Sequence, residues 1–417
     1  MSKQLNRVEK LIFEFCPSGV KCKTLGELGE FYGGLSGKSK DDFSNGNAKY
    51  VTYMNIVSNI AINININTFV KIREDETQNK VEYGDTLFTG SSETPDEVGM
   101  SSVMTKKIDE PLYLNSFCFG FRLNDKNIFL PEFLKYLFRD KEIRKQIIKT
   151  GSGVTRFNIS KKRFAKIIIP IPPICVQEEI VRILNNFTEL EAELEAELET
   201  RKKQYSHYTH KLLHSNLNMK SIGEVCDVGD GNHSSNYPKS SEMVETGVPF
   251  IRGTNLVNGT ISPKDMKFIT AEKHNVLKKG HLKEGDVLFM NRGDIGKTAY
   301  IPKQYENANL NSQIAWLRAK RNVLTPKYLF FILNTSFIQN GISHEGGALK
   351  QLTIKKLKAI KIPTPSLQEQ ERIASILDRF NTLVNDITIG LPAELNARRQ
   401  QYEYYRNKLL TFKEYVN

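Results

Sequence analysis

The run Gly33-Gly34-Leu35-Ser36-Gly37-Lys38-Ser39 has the residue types of a phosphate-binding loop, in which backbone amides wrap the phosphates and a lysine neutralises them. Its spacing does not fit, because three residues separate Gly33 from Gly37 where the loop requires four. Gly296-Lys297-Thr298 fails as well, since Asn291 stands where the first glycine belongs. Pro172-Pro173 lacks the flanking amide or carboxylate and the aromatic residue with which an amino-methyltransferase holds its target amine. Pro95-Asp96-Glu97 is not followed by the Glu-x-Lys that would complete a nuclease metal centre. His207, His210 and His214 sit at helical spacing with no carboxylate or cysteine partner, the pattern of a solvated helix face. The expectation is a chain with no catalytic residue and no metal site of its own.

A second chemistry fits better. Reading bases requires side chains that donate and accept in the grooves, backed by cations for the phosphates. Such residues gather in turn-rich stretches: Lys38, Ser39 and Lys40; Thr52, Tyr53 and Asn55; Ser91 and Ser92; Ser152, Thr155, Arg156 and Asn158. A parallel set follows later in the chain: Asn232, His233, Ser234 and Ser235; Arg252, Thr254 and Asn255; Asn291, Arg292 and Lys297; Lys350 and Gln351. Any one of these alone is an ordinary polar turn, and the parallel placement is what favours the set. Lys161, Lys162, Arg163 and Lys166, matched by Lys355, Lys356, Lys358 and Lys361, are placed to follow phosphates. Lys and Arg outnumber Asp and Glu by 59 to 47, a formal charge of +12 that favours a polyanionic partner such as double-stranded DNA.

The elements that position these residues come in duplicate. Lys23-Thr24-Leu25-Gly26-Glu27-Leu28 recurs as Lys220-Ser221-Ile222-Gly223-Glu224-Val225, and Tyr83-Gly84-Asp85-Thr86-Leu87-Phe88 as Glu284-Gly285-Asp286-Val287-Leu288-Phe289. Leu114-Asn115-Ser116 matches Leu310-Asn311-Ser312, each followed by a helix opened by a proline, Pro131 or Pro326. Ile169-Pro170-Ile171-Pro172 leads to Gln177-Glu178 as Ile362-Pro363-Thr364-Pro365 leads to Gln370-Glu371. Collinear order across these blocks leaves little room for chance. Between them, short β-rich runs alternate with glycine and asparagine turns, which predicts small mixed sheets and an α+β class. The Ile/Asn alternation over residues 60–67 predicts a strand, and Ser366 with Glu369 predicts a capping box.

After each Ile-Pro-x-Pro a long helix is expected. The first has its seam at Ile180, Ile183, Phe187, Leu190, Leu194 and Leu198, the second at Ile373, Ile376, Phe380, Leu383, Ile387 and Leu395, with Gly390 and Pro392 flanking a possible interruption. A helix of about forty residues rises about 60 Å, so two packed antiparallel would act as a ruler between globular halves. Five scattered cysteines without a C-x-x-C pair fit a reducing cytosol, and no apolar run reads as a membrane span or a signal peptide.

These residues carry a resemblance. Cys16-Pro17-Ser18-Gly19-Val20 with Leu25-Gly26-Glu27, both Gly-Asp-x-Leu-Phe blocks, and both Ile-Pro-x-Pro elements leading into Gln-Glu helices resemble the specificity subunit of type I restriction-modification systems over essentially the full length. The resemblance implies two similar target-recognition domains in a pseudo-twofold arrangement, separated by two long antiparallel coiled-coil-like helices. On it the chain divides into an N-terminal helical segment (1–14), a first recognition domain (15–172), a central spacer (173–214), a second recognition domain (215–365) and a C-terminal spacer (366–417). It further implies that each domain reads half of a bipartite DNA site, and that the helices dock two modification subunits that use S-adenosylmethionine to methylate adenine. Restriction subunits using ATP and Mg would cleave unmethylated DNA, this chain binding no cofactor itself. The Leu-Glu-Ala-Glu run from Leu190 resembles helix repeats whose number tunes spacer length in some members. Two other readings stay open: a standalone methyltransferase, which would need the absent motifs, and a duplicated helical scaffold without sequence-selective DNA binding.

Overall fold

The computed structural model describes residues 2–214, 218–231, 237–344, 351–385 and 389–415. It falls into two compact units: Met1–Ala192 with Ala397–Asn417, and Glu193–Asn396. The long helix Ile174–His214 gives its first part to one unit and its second part to the other.

In the first unit, Gly29–Gly33, Cys118–Leu123, Thr86–Thr89 and Ser101–Val103 form, in that spatial order, a four-stranded antiparallel sheet. Cys226–Asp230, Ile314–Ala319, Val287–Met290 and Thr298–Tyr300 repeat the order in the second. Each unit adds a small mixed sheet with one parallel pairing, Ala48–Val51 on Leu112–Leu114 and Val248–Ile251 on Asn309–Leu310. Phe88, Phe119 and Phe164 form the aromatic centre of the first core, with ring centroids 4.9 to 5.4 Å apart.

The Gly-Asp blocks now have a cause. Gly84 and Gly285 adopt φ of 90° and 87°, a region that disfavours side chains, and turn the chain so that the next residue points inward. Asp85 and Asp286 are buried and accept a two-pronged guanidinium, Arg122 at 2.9 and 2.7 Å and Arg318 at 2.8 and 2.8 Å. These bonds hold both guanidinium groups more firmly protonated than usual. Each arginine also lies over an aromatic ring, but the ring comes from opposite strands. In the first unit it is Tyr32, paired across from Gly120; in the second it is Trp316, paired across from Gly229. A Cβ on either glycine would stand 2.0 to 2.4 Å from the facing ring. The site holds one ring, and the two units fill it from different sides.

In each unit the globular region is tied to the helix that follows it by a buried carboxamide. Gln177 accepts from the Leu130 N–H at 2.9 Å and donates to the carbonyls of Ile128 (2.9 Å) and Pro172 (2.8 Å). Gln370 repeats all three bonds with Thr325 N–H, Val323 and Pro365 at 2.8, 2.9 and 2.8 Å. The groups satisfied are the N–H just before each helix-opening proline, a carbonyl two residues before it and the last carbonyl of the Ile-Pro-x-Pro element, which would otherwise be buried without partners. Of the seam, Ile180, Ile183, Phe187, Ile373 and Leu395 are buried, Ile376, Phe380, Leu194 and Leu198 are half-buried, and Leu190 and Leu383 are exposed; Ile387 lies outside the described residues. In the first unit Phe187 stacks on Tyr405 at 5.5 Å, and Glu191 meets Arg399, so this pair of helices runs antiparallel. In the second unit Phe380 and Tyr208 make the equivalent contact at 5.6 Å.

The possible interruption at Gly390 and Pro392 is present, and two other expectations need correction. The second spacer is two helices, Leu367–Asn385 and Leu391–Leu410; Pro392, which lacks an N–H, stands in the first turn of the latter, where none is needed. Residues 60–67 keep Ile62, Ile64 and Ile66 inward but form no ladder beyond an isolated Ala61–Val103 bridge, because the Asn55 side chain takes both the N–H and the carbonyl of Asn63. Ser366 accepts from the Glu369 N–H, while the Glu369 carboxylate pairs with Arg372.

Replacing Gln177 or Gln370 by alanine orphans three buried groups and is expected to destabilise the unit concerned by about 2–4 kcal/mol. Hydrogen exchange should show the loss of protection in that unit and not in the other. Gly120→Trp alone is expected to destabilise the first unit by about 1–3 kcal/mol through overpacking. Tyr32→Gly with Gly120→Trp should recover most of that in a thermal melt, since it rebuilds the second unit's arrangement.

Candidate nucleic-acid interface

At one end of the first unit's sheet, Gly151–Ser152, Phe157–Ile159 and Ser91–Ser92 make a three-stranded ladder. Its register sets Ser152 opposite Asn158, and Asn158 opposite Ser91, in one cross-strand row. The second unit builds the same bridge with Arg292 opposite Gln351. The supporting bonds also coincide: Ile159 N–H to Gly90 carbonyl (2.9 Å) matches Leu352 N–H to Asn291 carbonyl (2.8 Å), and Gly90 N–H to Phe117 carbonyl matches Asn291 N–H to Gln313 carbonyl. The two units thus present different polar side chains from one backbone frame. Short helices follow at once, Lys161–Phe164 and Ile354–Ala359, with Lys161, Lys162, Arg163, Lys355, Lys356 and Lys358 exposed on them.

The ladder brings Ser91, Ser92, Ser152, Thr155, Arg156 and Asn158 together. Ser152, Thr155, Arg156 and Asn158 are exposed; Ser91 and Ser92 are buried, Ser91 accepting from Arg156 and Ser92 from the Thr94 N–H. Arg292, Lys297 and Gln351 are half-buried, and the Asn291 Oδ1 and Arg292 Nε lack a hydrogen-bond partner among the described residues. Such unsatisfied buried groups suit a surface completed by a polar ligand or water.

Other candidates are held by their own chain. Lys38 Nζ bonds the Lys71 carbonyl and Glu76 at 2.5 Å each, with its side chain only 5% exposed, so its charge is not offered outward. Ser39 caps a helical turn through Asp42, and Thr52 accepts from the Asn55 N–H. Asn55 and Asn255 are buried loop braces, the latter donating to the Ser262 and Lys264 carbonyls, and Arg252 donates to the Asp265 carbonyl. These six, Lys38, Ser39, Thr52, Asn55, Arg252 and Asn255, shape loops. Tyr53 packs against a core cluster, while Lys40 and Thr254 remain exposed. Asn232, His233, Ser234, Ser235 and Lys350 lie outside the described residues. The sequence reading missed Phe117, 56% exposed beneath Arg156; its signal was an aromatic residue directly after the repeated Leu-Asn-Ser block.

Burial pushes the Cys118 and Cys226 thiols up to about 12, away from thiolate chemistry. Among the described residues no group of three or more His, Cys, Asp or Glu is placed to hold a metal, and no helix is long and apolar enough to cross a membrane.

A family model, the type I restriction modification DNA specificity domain, matches residues 17–200 and again 214–397. A putative type I restriction enzyme specificity subunit of Haemophilus influenzae is 36% identical over 272 residues, 63% of this chain and 68% of that protein. The EcoR124I/EcoR124II specificity subunit of Escherichia coli is 35% identical over 277 residues, 61% of this chain and 64% of that protein, so that match spans less than two thirds of its length. Among solved structures, the S subunit of a type I restriction-modification system from M. genitalium aligns over 94% of this chain and 96% of its own, with a TM-score of 0.53 and 16% identity. A chain from a study of type I R-M complex assembly aligns over 94% and 97%, with a TM-score of 0.61 and 19% identity. At these identities the likeness to the solved structures concerns the fold. With the domain matched twice and one backbone frame built twice, this chain belongs to the type I restriction-modification DNA specificity family, as a specificity subunit with two recognition domains.

Proposed function

We propose that each unit reads one half of a bipartite, asymmetric DNA site, and that the helices set the gap and dock two modification subunits that methylate adenine. Restriction subunits joining the same complex would cleave unmethylated DNA. S-adenosylmethionine, ATP and Mg then belong to those partners, this chain contributes recognition and no chemistry, and the complex works in the prokaryotic cytoplasm. The observation that carries the reading is the shared frame with unlike side chains, Ser91 with Asn158 in one unit and Arg292 with Gln351 in the other. A frame repeated for stability alone has no need to vary this polar row, of which Asn158 is exposed and Arg292 and Gln351 half-buried, whereas two different half-sites require it. The exposed lysines just after each ladder supply phosphate contacts that carry affinity without sequence information.

Methylation mapping tests this directly, comparing a strain carrying the chain and a matching modification subunit with the same strain lacking the chain. A bipartite adenine motif that vanishes on deletion is the expected result. Unchanged methylation with the modification subunit active would leave a scaffold role instead. Duplicating the tetrad Leu194-Glu195-Ala196-Glu197 adds about 6 Å of helix, between one and two base-pair rises. The mapped motif should keep both half-sites and widen its gap by about one or two base pairs.

A further inference from the structure

Most arginines near the first unit's interface are consumed by the fold. Arg122 grips Asp85. Arg139 donates to the Ser101 and Ile56 carbonyls, and Arg144 to those of Asp96, Val98 and Gly99. Burial pulls the guanidinium groups of Arg139 and Arg144 down to about 10, as expected for cations used inside a protein.

Arg156 is held differently. Its Nε donates to Ser91 Oγ at 3.3 Å and its guanidinium lies 5.2 Å from the centre of the Phe117 ring, while its two terminal amino groups make no hydrogen bond among the described residues. The backbone that carries this ring is itself fixed. The Phe117 N–H donates to Asn115 Oδ1 at 2.9 Å, and its carbonyl accepts the Gly90 N–H at 2.8 Å, an approach so close that a Cβ on Gly90 would stand 2.8 Å from that oxygen. Gly153, at φ 147°, turns the hairpin so tightly that a Cβ there would stand 1.9 Å from the Arg156 carbonyl, and Val154 at the tip is 93% exposed. The hairpin therefore projects, and the arginine on it is oriented before any ligand arrives.

We propose that Arg156 reads a guanine in the major groove of the half-site bound by the first unit, with Phe117 as the positioning residue that holds the fork outward; this rests on the reading given under Proposed function. A planar fork with two parallel donors left open matches the O6 and N7 acceptors of guanine and no other base edge as well. Stacking on this ring removes rotamers that a free arginine would have to give up on binding. The second unit has Gln313 where the first has Phe117, and its arginine, Arg292, comes from the strand that carries Ser91 in the first. One frame thus holds two different readers, as two unlike half-sites demand.

The test begins with the wild-type methylated motif and then replaces each of its guanines, one at a time, by 7-deazaguanine, measuring binding by the chain assembled with its modification subunits. One guanine is expected to lose roughly tenfold to a hundredfold in wild-type affinity when N7 is removed, and to show almost no such loss with Arg156→Ala. Arg156→Lys keeps the charge and the salt dependence and should still lose the discrimination. Phe117→Ala should weaken discrimination at that same guanine and leave the other half-site untouched, with Phe117→Tyr restoring it. A motif whose every guanine responds equally in wild type and Arg156→Ala overturns this assignment alone. Absence of any bipartite motif with the wild-type chain overturns both the assignment and the reading beneath it.

Discussion

The molecule depends on a carboxamide in each unit, Gln177 or Gln370, placed where three chain segments meet. It satisfies the N–H ahead of the helix-opening proline, a carbonyl of the preceding loop, and a carbonyl of the Ile-Pro-x-Pro element. Glutamine suits the position because one planar group offers an acceptor and two donors, and a charged glutamate would surrender both donors. Through these bonds the first turn of a long helix is locked to the base of a recognition region. The direction in which each helix starts out from its recognition region follows from hydrogen bonds that burial makes costly to break.

Each unit is assembled from segments far apart in the chain. Phe187 packs on Tyr405 in one unit and Phe380 on Tyr208 in the other, so each recognition region borrows the closing part of the helix that follows the other region. The termini reflect the same plan: Val20 donates to the Lys413 carbonyl at 2.8 Å and accepts from the Tyr415 N–H at 3.0 Å. The last residues described thus lie against the start of the first recognition region. In the second unit Asn218, which follows the long helix in sequence, accepts from Thr364 as Lys21 accepts from Ile171 in the first.

Within that frame, arginine serves two purposes that its surroundings separate. Arg122 and Arg318 have a buried carboxylate opposite and a ring beneath, and they stiffen the sheet. Arg156 has a ring beneath it and, among the described residues, no carboxylate opposite, and it is exposed. The missing counter-charge distinguishes a side chain that holds the fold from one that can meet a ligand, because a carboxylate at that place would compete with any acceptor offered by a base.

Much of this was legible in the residues alone. The duplication, the prolines opening helices, the extended Ile-Pro-x-Pro elements and the glutamines following them are local patterns of type and spacing, and they determined the fold class, the two-domain plan and the family. Which polar side chains the fold leaves uncommitted was not legible, because that depends on residues distant in sequence: Lys38 is claimed by Glu76, Arg139 by the carbonyl of Ile56 and Glu191 by Arg399. The Asn55 side chain likewise took the Asn63 backbone and replaced a strand that alternation alone would have predicted. Hydrophobic periodicity and turn chemistry act over a few residues and survive as sequence patterns, whereas the satisfaction of a polar atom is settled only when remote segments are brought within hydrogen-bond distance, and that was decided by the tertiary structure.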